Sequence, residues 1–296
     1  MPVNCTSVTD VNGNLNPAGY VVTDPSTAFD FGTGDFTMEC WAYPTKQGNI
    51  WTGFLSTMQN DNPTTINSVL AGVVLGSCSS SLNLTFGINT SFASSFNSNC
   101  SNNSLSLNTW QHIALTRASG VCRLFINGIQ VGNNIADNRN VNSNKKILGI
   151  GKYYSDRVDD WMYNGYIDEV RISKVARYTT NFTPSVSQFV SDSDTVFLCH
   201  FDSVDSSVPG ILKFYDDGPN NIGITGQCET NLSTAVKKFG NSSLRLGQTI
   251  LESPTPTPTS TVTPTITPTS TVTPTKTVTP TITPTSTVTQ IGRAHV

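Results

Sequence analysis

Between Trp110 and Gly132 the chain reads WQHIALTRASGVCRLFINGIQVG, an order of residues that fits little besides an antiparallel sheet. From Trp110 to Arg117 the side chains alternate, with Ile113 and Leu115 on one face and His112, Ala114 and Thr116 on the other. That is the period of two a pleated strand imposes. Ala118-Ser119-Gly120 turns the chain, and Val121 to Ile126 alternates again. Asn127-Gly128 follows, a pair that tolerates the positive φ of a type I′ hairpin turn, and Ile129 to Val131 returns as a third strand. The stretch predicts an all-β chain.

The rest of the chain agrees with that class. Phe36 to Tyr43 alternates Phe36, Met38, Cys40 and Ala42 with Thr37, Glu39, Trp41 and Tyr43. Both faces are partly apolar, as in a strand at the middle of a sandwich with its outer face covered. Further strands are expected at Tyr20 to Val22, Thr52 to Thr57, Ser68 to Leu75, Leu82 to Ile88, Lys146 to Gly151, Gly165 to Ser173 and Thr195 to Phe201. Asn89 to Asn108 reads as a polar Ser/Asn loop, and only Lys174 to Tyr178 hints at a helical turn.

Composition removes several function classes. A net charge of −3 with 12% charged residues offers no basic face for nucleic acid. The longest apolar run, Val69 to Leu75, is too short for membrane insertion, and the N-terminus shows no secretory leader pattern. Seven cysteines lack paired zinc-ligand spacing. Cys40, Cys122 and Cys199 lie in expected strands and read as buried thiols. For Cys78 and Cys100, bridged and unbridged readings are both open. Asn-x-Ser/Thr triplets at Asn83, Asn181 and Asn241 are what chance gives in a chain so rich in these residues.

From Ser253 to Thr289 the composition changes to Thr, Pro, Ser and Val, and VTPTITPTSTVT occurs twice, starting at Val262 and Val278. Proline at this density blocks helices and sheet interiors, so an extended stalk is expected, reaching roughly 100 Å at about 3.1 Å per residue. Ile291 to Val296, IGRAHV, shares nothing with the repeat. It is the translation of a common sequencing-library adapter, ATC GGA AGA GCA CAC GTC, so these residues read as an artefact and the natural protein is expected to continue past the repeat.

Four motifs in order carry a resemblance. They are Asp30-Phe31-Gly32-Thr33-Gly34-Asp35-Phe36-Thr37 leading into Trp41, the Trp110-Gln111-His112-Ile113-Ala114 strand, the Leu124-Phe125-Ile126-Asn127-Gly128 hairpin, and Gly165-Tyr166-Ile167-Asp168-Glu169-Val170-Arg171-Ile172. Together they resemble the laminin-G-like, concanavalin-A-like jelly-roll family, and the continuation Ala176-Arg177-Tyr178 to Asn181-Phe182-Thr183-Pro184, then Val196 to Asp202, resembles copies found in phage and bacterial surface proteins. The resemblance implies a two-sheet antiparallel jelly-roll sandwich that binds carbohydrate or protein, sometimes with calcium on its rim. In one respect the order departs from the family: the Phe197 to Asp202 strand and the Lys238-Phe239-Gly240 to Leu244 segment follow the body of the domain instead of opening it. Residues 195–250 either complete the first sandwich by permutation or begin a second, interrupted copy. About 55 residues make a marginal core alone, which favours one sandwich over residues 1–250.

A hydrolase of this fold needs two carboxylates facing one cleft. The chain has four glutamates, Glu39, Glu169, Glu229 and Glu252, with none spaced as a pair on one strand face, and Asp168 and Glu169 are adjacent and expected on opposite faces. The expected function is therefore non-catalytic recognition or adhesion on a virion or microbial surface, with a glycan or surface protein as partner and multiple copies raising a weak affinity. A structural spacer in a fibre and a glycoside hydrolase are the alternatives. Tyr153, Tyr154, Trp161 and Tyr163 are the expected sugar-stacking residues, aided by the Asn89 to Asn108 excursion. Asp156, Asp159, Asp160 and Asn164, in the same loop, are the expected ligands for Ca2+.

Overall fold

A computed structural model describes residues 19–47, 51–59, 72–79, 81–89, 97–141, 146–152, 162–205, 212–228 and 230–247. All belong to one compact unit, Met1–Ile250; the second unit, Leu251–Val296, with the Thr/Pro repeat, lies outside the described residues. The strands are β1 (Tyr20–Thr23), β2 (Phe36–Pro44), β3 (Thr52–Gln59), β4 (Gly72–Ser77), β5 (Asn83–Asn89), β6 (Asn97–Ser104), β7 (Gln111–Ala118) and β8 (Val121–Ile126). They continue as β9 (Ile129–Ala136), β10 (Ile147–Ile150), β11 (Gly165–Ser173), β12 (Thr195–Cys199), β13 (Lys213–Phe214), β14 (Ile224–Gln227), β15 (Asn231–Ser233) and β16 (Ser243–Leu246).

Two antiparallel sheets face each other. One runs β13-β14-β1-β10-β3-β4-β5-β6; the other runs β15-β16-β11-β2-β7-β8-β9, with β12 also on β11. Alternation decides what lies between them. Phe36, Met38, Cys40 and Ala42 of β2 and Ile113 and Leu115 of β7 join Phe54, Leu55, Val73, Leu75, Phe86 and Leu148 of the facing sheet in one buried cluster. This is the jelly-roll sandwich the sequence predicts, and its central hairpin turns at Asn127 (φ 50°) and Gly128 (φ 77°). The segment after the family-like body enters both layers, since β14 pairs with β1 and both β12 and β16 pair with β11.

Two expectations need correction. The stretch 89–108 is not a loop throughout, because β6 lies within it and pairs with β5, and Cys100 forms a disulfide with Cys78. Its sequence, NSNCSNNS, carries no apolar alternation, so its pairing is invisible to a hydrophobic period. Residues 174–178 form bends and coil, not a helical turn. Cys40, Cys122 and Cys199 are buried free thiols, as expected.

Residues 174–194 form a strap over the outer face of the second sheet. Thr37 and Thr116 donate their hydroxyl hydrogens to the carbonyls of Val175 and Tyr178, at 2.8 Å each, and the Phe182 amide donates to the Gly128 carbonyl at 2.9 Å.

Candidate functional site

Beneath the strap, Glu39 is fully buried and shared by three partners. Arg171 Nε donates to Oε1 at 2.8 Å, the Tyr178 hydroxyl donates to Oε2 at 2.8 Å, and His112 Nε2 lies 3.0 Å from Oε2. Burial opposes the charge on Glu39, but the hydrogen bonds and charges of His112 and Arg171 outweigh it and hold the carboxyl below its usual range. Both Glu39 oxygens are matched, while His112 Nδ1 is buried without a partner among the described residues, and the Tyr178 bond locks strap to sheet.

At the next turn of β11 the register with β2 shifts between Asp168 and Arg171. This β-bulge corrects the expectation that Asp168 and Glu169 face opposite ways. With Glu169 at φ 53°, both carboxylates lie on the side that carries Trp41 and Phe189. Asp168 Oδ2 accepts the amides of Lys238 (2.8 Å) and Phe239 (3.2 Å), and its Oδ1 accepts the Glu169 amide at 2.9 Å. Burial raises its pKa to about 7 against the pull of those amides. Glu169 Oε2 accepts the Phe189 amide at 2.7 Å, and both its oxygens meet His200 Nδ1, at 2.9 and 3.0 Å. Neither carboxylate pairs with an arginine among the described residues: Arg171 serves Glu39, and Arg117 donates to the carbonyls of Gly32, Gly34 and Arg139.

His200 opens onto the surface. It lies just after β12, where Phe201 adopts φ 54°, a left-handed conformation costly for a bulky residue. Phe201 repays this by burying its ring edge-on against Phe214, centroids 5.3 Å apart. The turn leaves His200, Asp202 and Ser203 around a shallow open depression, completed by Gln188 from the strap and by Tyr215 and Asp217. Alternation positions the last two. Phe214 and Asp216 are buried, while Tyr215 and Asp217 are exposed. Asp216 fixes the segment by accepting the amides of Leu198 (3.1 Å), Gly218 (2.8 Å) and Ile222 (2.9 Å).

The two surface carboxylates differ. Asp202 Oδ2 accepts from Gln188 Nε2 at 2.7 Å, and its Oδ1 accepts the amides of Asn241 and, at 3.0 Å, Ser242. It organises the rim. Asp217 accepts one long bond, from the His200 amide at 3.4 Å, and keeps acceptor capacity facing solvent. The His200 ring is partly buried, which works against its charge, but the hydrogen bond and charge of Glu169, helped by Asp217 and Asp202, raise its pKa above the usual value. The depression thus offers a half-exposed phenol ring, an imidazole oriented by a carboxylate, a hydroxyl and a free carboxylate. Such a set can stack on an apolar face and exchange hydrogen bonds with hydroxyls.

Of the sequence candidates, Tyr153, Tyr154, Asp156, Asp159, Asp160 and Trp161 lie outside the described residues. Tyr163 is a core side chain, 1% exposed, its ring 5.0 Å from that of Phe54 and its hydroxyl donating to the Tyr166 carbonyl at 3.3 Å. Its face is spent on packing and offers no platform for a ligand. Asn164 accepts the Thr45 amide on its backbone carbonyl at 3.1 Å. Among the described residues no three His, Cys, Asp or Glu side chains are grouped to hold a metal. Tyr215 and Asp217 escaped sequence reasoning; the one available signal was the brief alternation through Phe214 and Asp216.

The family model described as the concanavalin A-like lectin/glucanases superfamily matches residues 14–180, more than half of the chain. No curated protein matches. Among solved structures, a putative carbohydrate binding protein from Bacteroides ovatus is 14% identical with a TM-score of 0.47, over 71% of this chain and 57% of that one. The SAP-like pentraxin of Limulus polyphemus is 15% identical with a TM-score of 0.39, over 56% of this chain and 74% of its own. The CBM40 of Ruminococcus gnavus IT-sialidase, bound to α2,3 sialyllactose, is 10% identical with a TM-score of 0.41, over 52% and 87%. With its jelly-roll sandwich and a family match over most of the body of the domain, the chain belongs to the concanavalin A-like lectin/glucanase superfamily.

Proposed function

We propose that the domain is a non-catalytic carbohydrate-recognition module and that the depression around Tyr215 is its binding site. The observation that carries the reading is the exposed Tyr215 ring set beside Asp217, His200 and Ser203. A pyranose presents CH groups on one face and hydroxyls around its edge, and this site meets both. Hydrolysis would require two carboxylates free to face one bond. Among the described carboxylates at and behind the depression, Asp168, Glu169 and Asp202 have oxygens engaged by backbone amides and side chains, and Asp217 is left with one long bond.

A shallow site of this kind binds weakly, and display in many copies on a virion or microbial surface, through the Thr/Pro stalk, would supply avidity. Tyr153, Tyr154 and Trp161, with Asp156, Asp159, Asp160 and Asn164 as Ca2+ candidates, are the second set of residues this proposal puts to the test. The test is a glycan array probed with the whole chain in multivalent form, in calcium and in chelator, alongside Tyr215→Ala. Binding lost in Tyr215→Ala and retained in chelator supports the depression as the site. Binding lost in chelator and kept in Tyr215→Ala moves the site to the 153–164 loop. No binding on either array ends the carbohydrate reading in favour of a structural spacer.

A further inference from the structure

The charges around the depression go further than the word carbohydrate. Among the described residues its lining holds two carboxylates, Asp202 and Asp217, and no lysine or arginine. The one cationic candidate, His200, is tied at Nδ1 to Glu169, so its charge is already balanced from behind. Two nearby lysines are engaged elsewhere: Lys237 Nζ donates to the Asn241 carbonyl at 3.2 Å, and Lys238 Nζ sits 3.8 Å from the centre of the Trp41 ring; Lys213, exposed two residues before Tyr215, is outside the lining. Asp216, behind the rim, adds a further carboxylate.

We infer, resting on the carbohydrate reading above, that this depression selects sugars bearing a protonated amine and disfavours sugars bearing a carboxylate. The ring stacks on Tyr215, the ammonium donates to Asp217, and hydroxyls meet Ser203 and the imidazole. An anionic sugar meets the same carboxylates as like charges, which costs affinity whatever its hydroxyl pattern. Asp202 cannot take the ammonium role as readily, because three donors already occupy it.

The experiment compares three oligosaccharides of one length binding to the whole chain at mildly acid pH. One is a hexosamine oligomer with free amines, one its N-acetylated counterpart, and one a hexuronate oligomer. The amine form is expected to bind about fivefold more tightly than the acetylated form, the scale of a partly exposed charge pair, and the uronate most weakly. Asp217→Asn is expected to erase the gap between amine and acetylated forms, and Tyr215→Ala to weaken both.

Uronate binding equal to or tighter than amine binding overturns the inference. So does an amine preference that survives Asp217→Asn, which would assign it to general attraction by an acidic protein. Binding of other glycans on the array with none of these three overturns the selectivity and leaves the carbohydrate reading standing. Silence across the whole array removes both.

Discussion

Glu39 shows how one side chain can be buried at a cost and still be kept. Three donors converge on it, and removing the carboxylate strands them in a dry layer. Glu39→Ala is expected to cost roughly 3–5 kcal/mol, read as the shift of a urea denaturation midpoint at constant slope. Its pKa is depressed, so its contribution is present above the ordinary carboxylate value of 4.5 and is lost as pH falls through the lower folded value. Asp168 has the opposite sign. Its folded pKa is raised to about 7, so its contribution is complete below the ordinary 3.8 and is lost as pH rises through about 7. His200, raised by Glu169, also loses its contribution as pH rises from 6.5 through its folded value. The melting temperature is therefore expected to peak at about pH 4, between the ordinary values of the two carboxyls, 3.8 and 4.5, and to fall on both sides. Asp168→Asn is expected to flatten the decline between 3.8 and about 7; a decline unchanged in that variant would assign it to other groups.

Among the elements, the hairpin at Asn127-Gly128 has two tasks that meet at one atom. Gly128 sits at φ 77°, and a Cβ there would fall 1.9 Å from the Phe182 carbonyl oxygen of the strap. Gly128→Ala must strain the turn and push the strap off the sheet, and is expected to cost at least about 2 kcal/mol. Gly34, with no positive φ and its nearest atom at 3.2 Å, is the control, where alanine should cost less. Equal denaturation midpoints for the two variants would show that the strap yields freely. The turn, β7, β8 and β11 were legible in the sequence because apolar alternation and an Asn-Gly pair report directly on backbone geometry. β6 was not, since a polar edge strand is held by its partner and by the Cys78–Cys100 disulfide. The bulge at Asp168 and Glu169 was hidden for a related reason: a period of two has no place for an extra residue. The depression follows from that bulge and from Phe201, both consequences of tertiary packing. Tyr215 and Asp217 were therefore the part of the site least accessible to pattern.

For the whole molecule, the question is whether residues 195–250 belong to this sandwich. Phe197, Cys199, Phe201, Phe214, Ile222, Ile224, Leu244 and Leu246 are all buried in the same cluster as β2 and β7. At about 1.5–3 kcal/mol for each large side chain, their loss would remove on the order of 10 kcal/mol, comparable to the entire stability of a domain. Cutting at Asp194 would also uncover one edge of β1, where β14 pairs, and the β11 edge covered by β12 and β16. A chain ending at Asp194 is thus expected to lose its cooperative thermal transition and near-ultraviolet dichroism and to bind a hydrophobic dye, while one ending at Glu252 keeps a sharp transition. If both melt with the same cooperativity, residues 195–250 start a second copy and the first sandwich is complete without them. The same cut removes His200, Ser203, Tyr215 and Asp217, so the outcome also bears on binding. A folded 1–194 chain that still binds sugar would place recognition elsewhere on the sandwich, whereas loss of fold and binding together is what a site built on the closing strands requires.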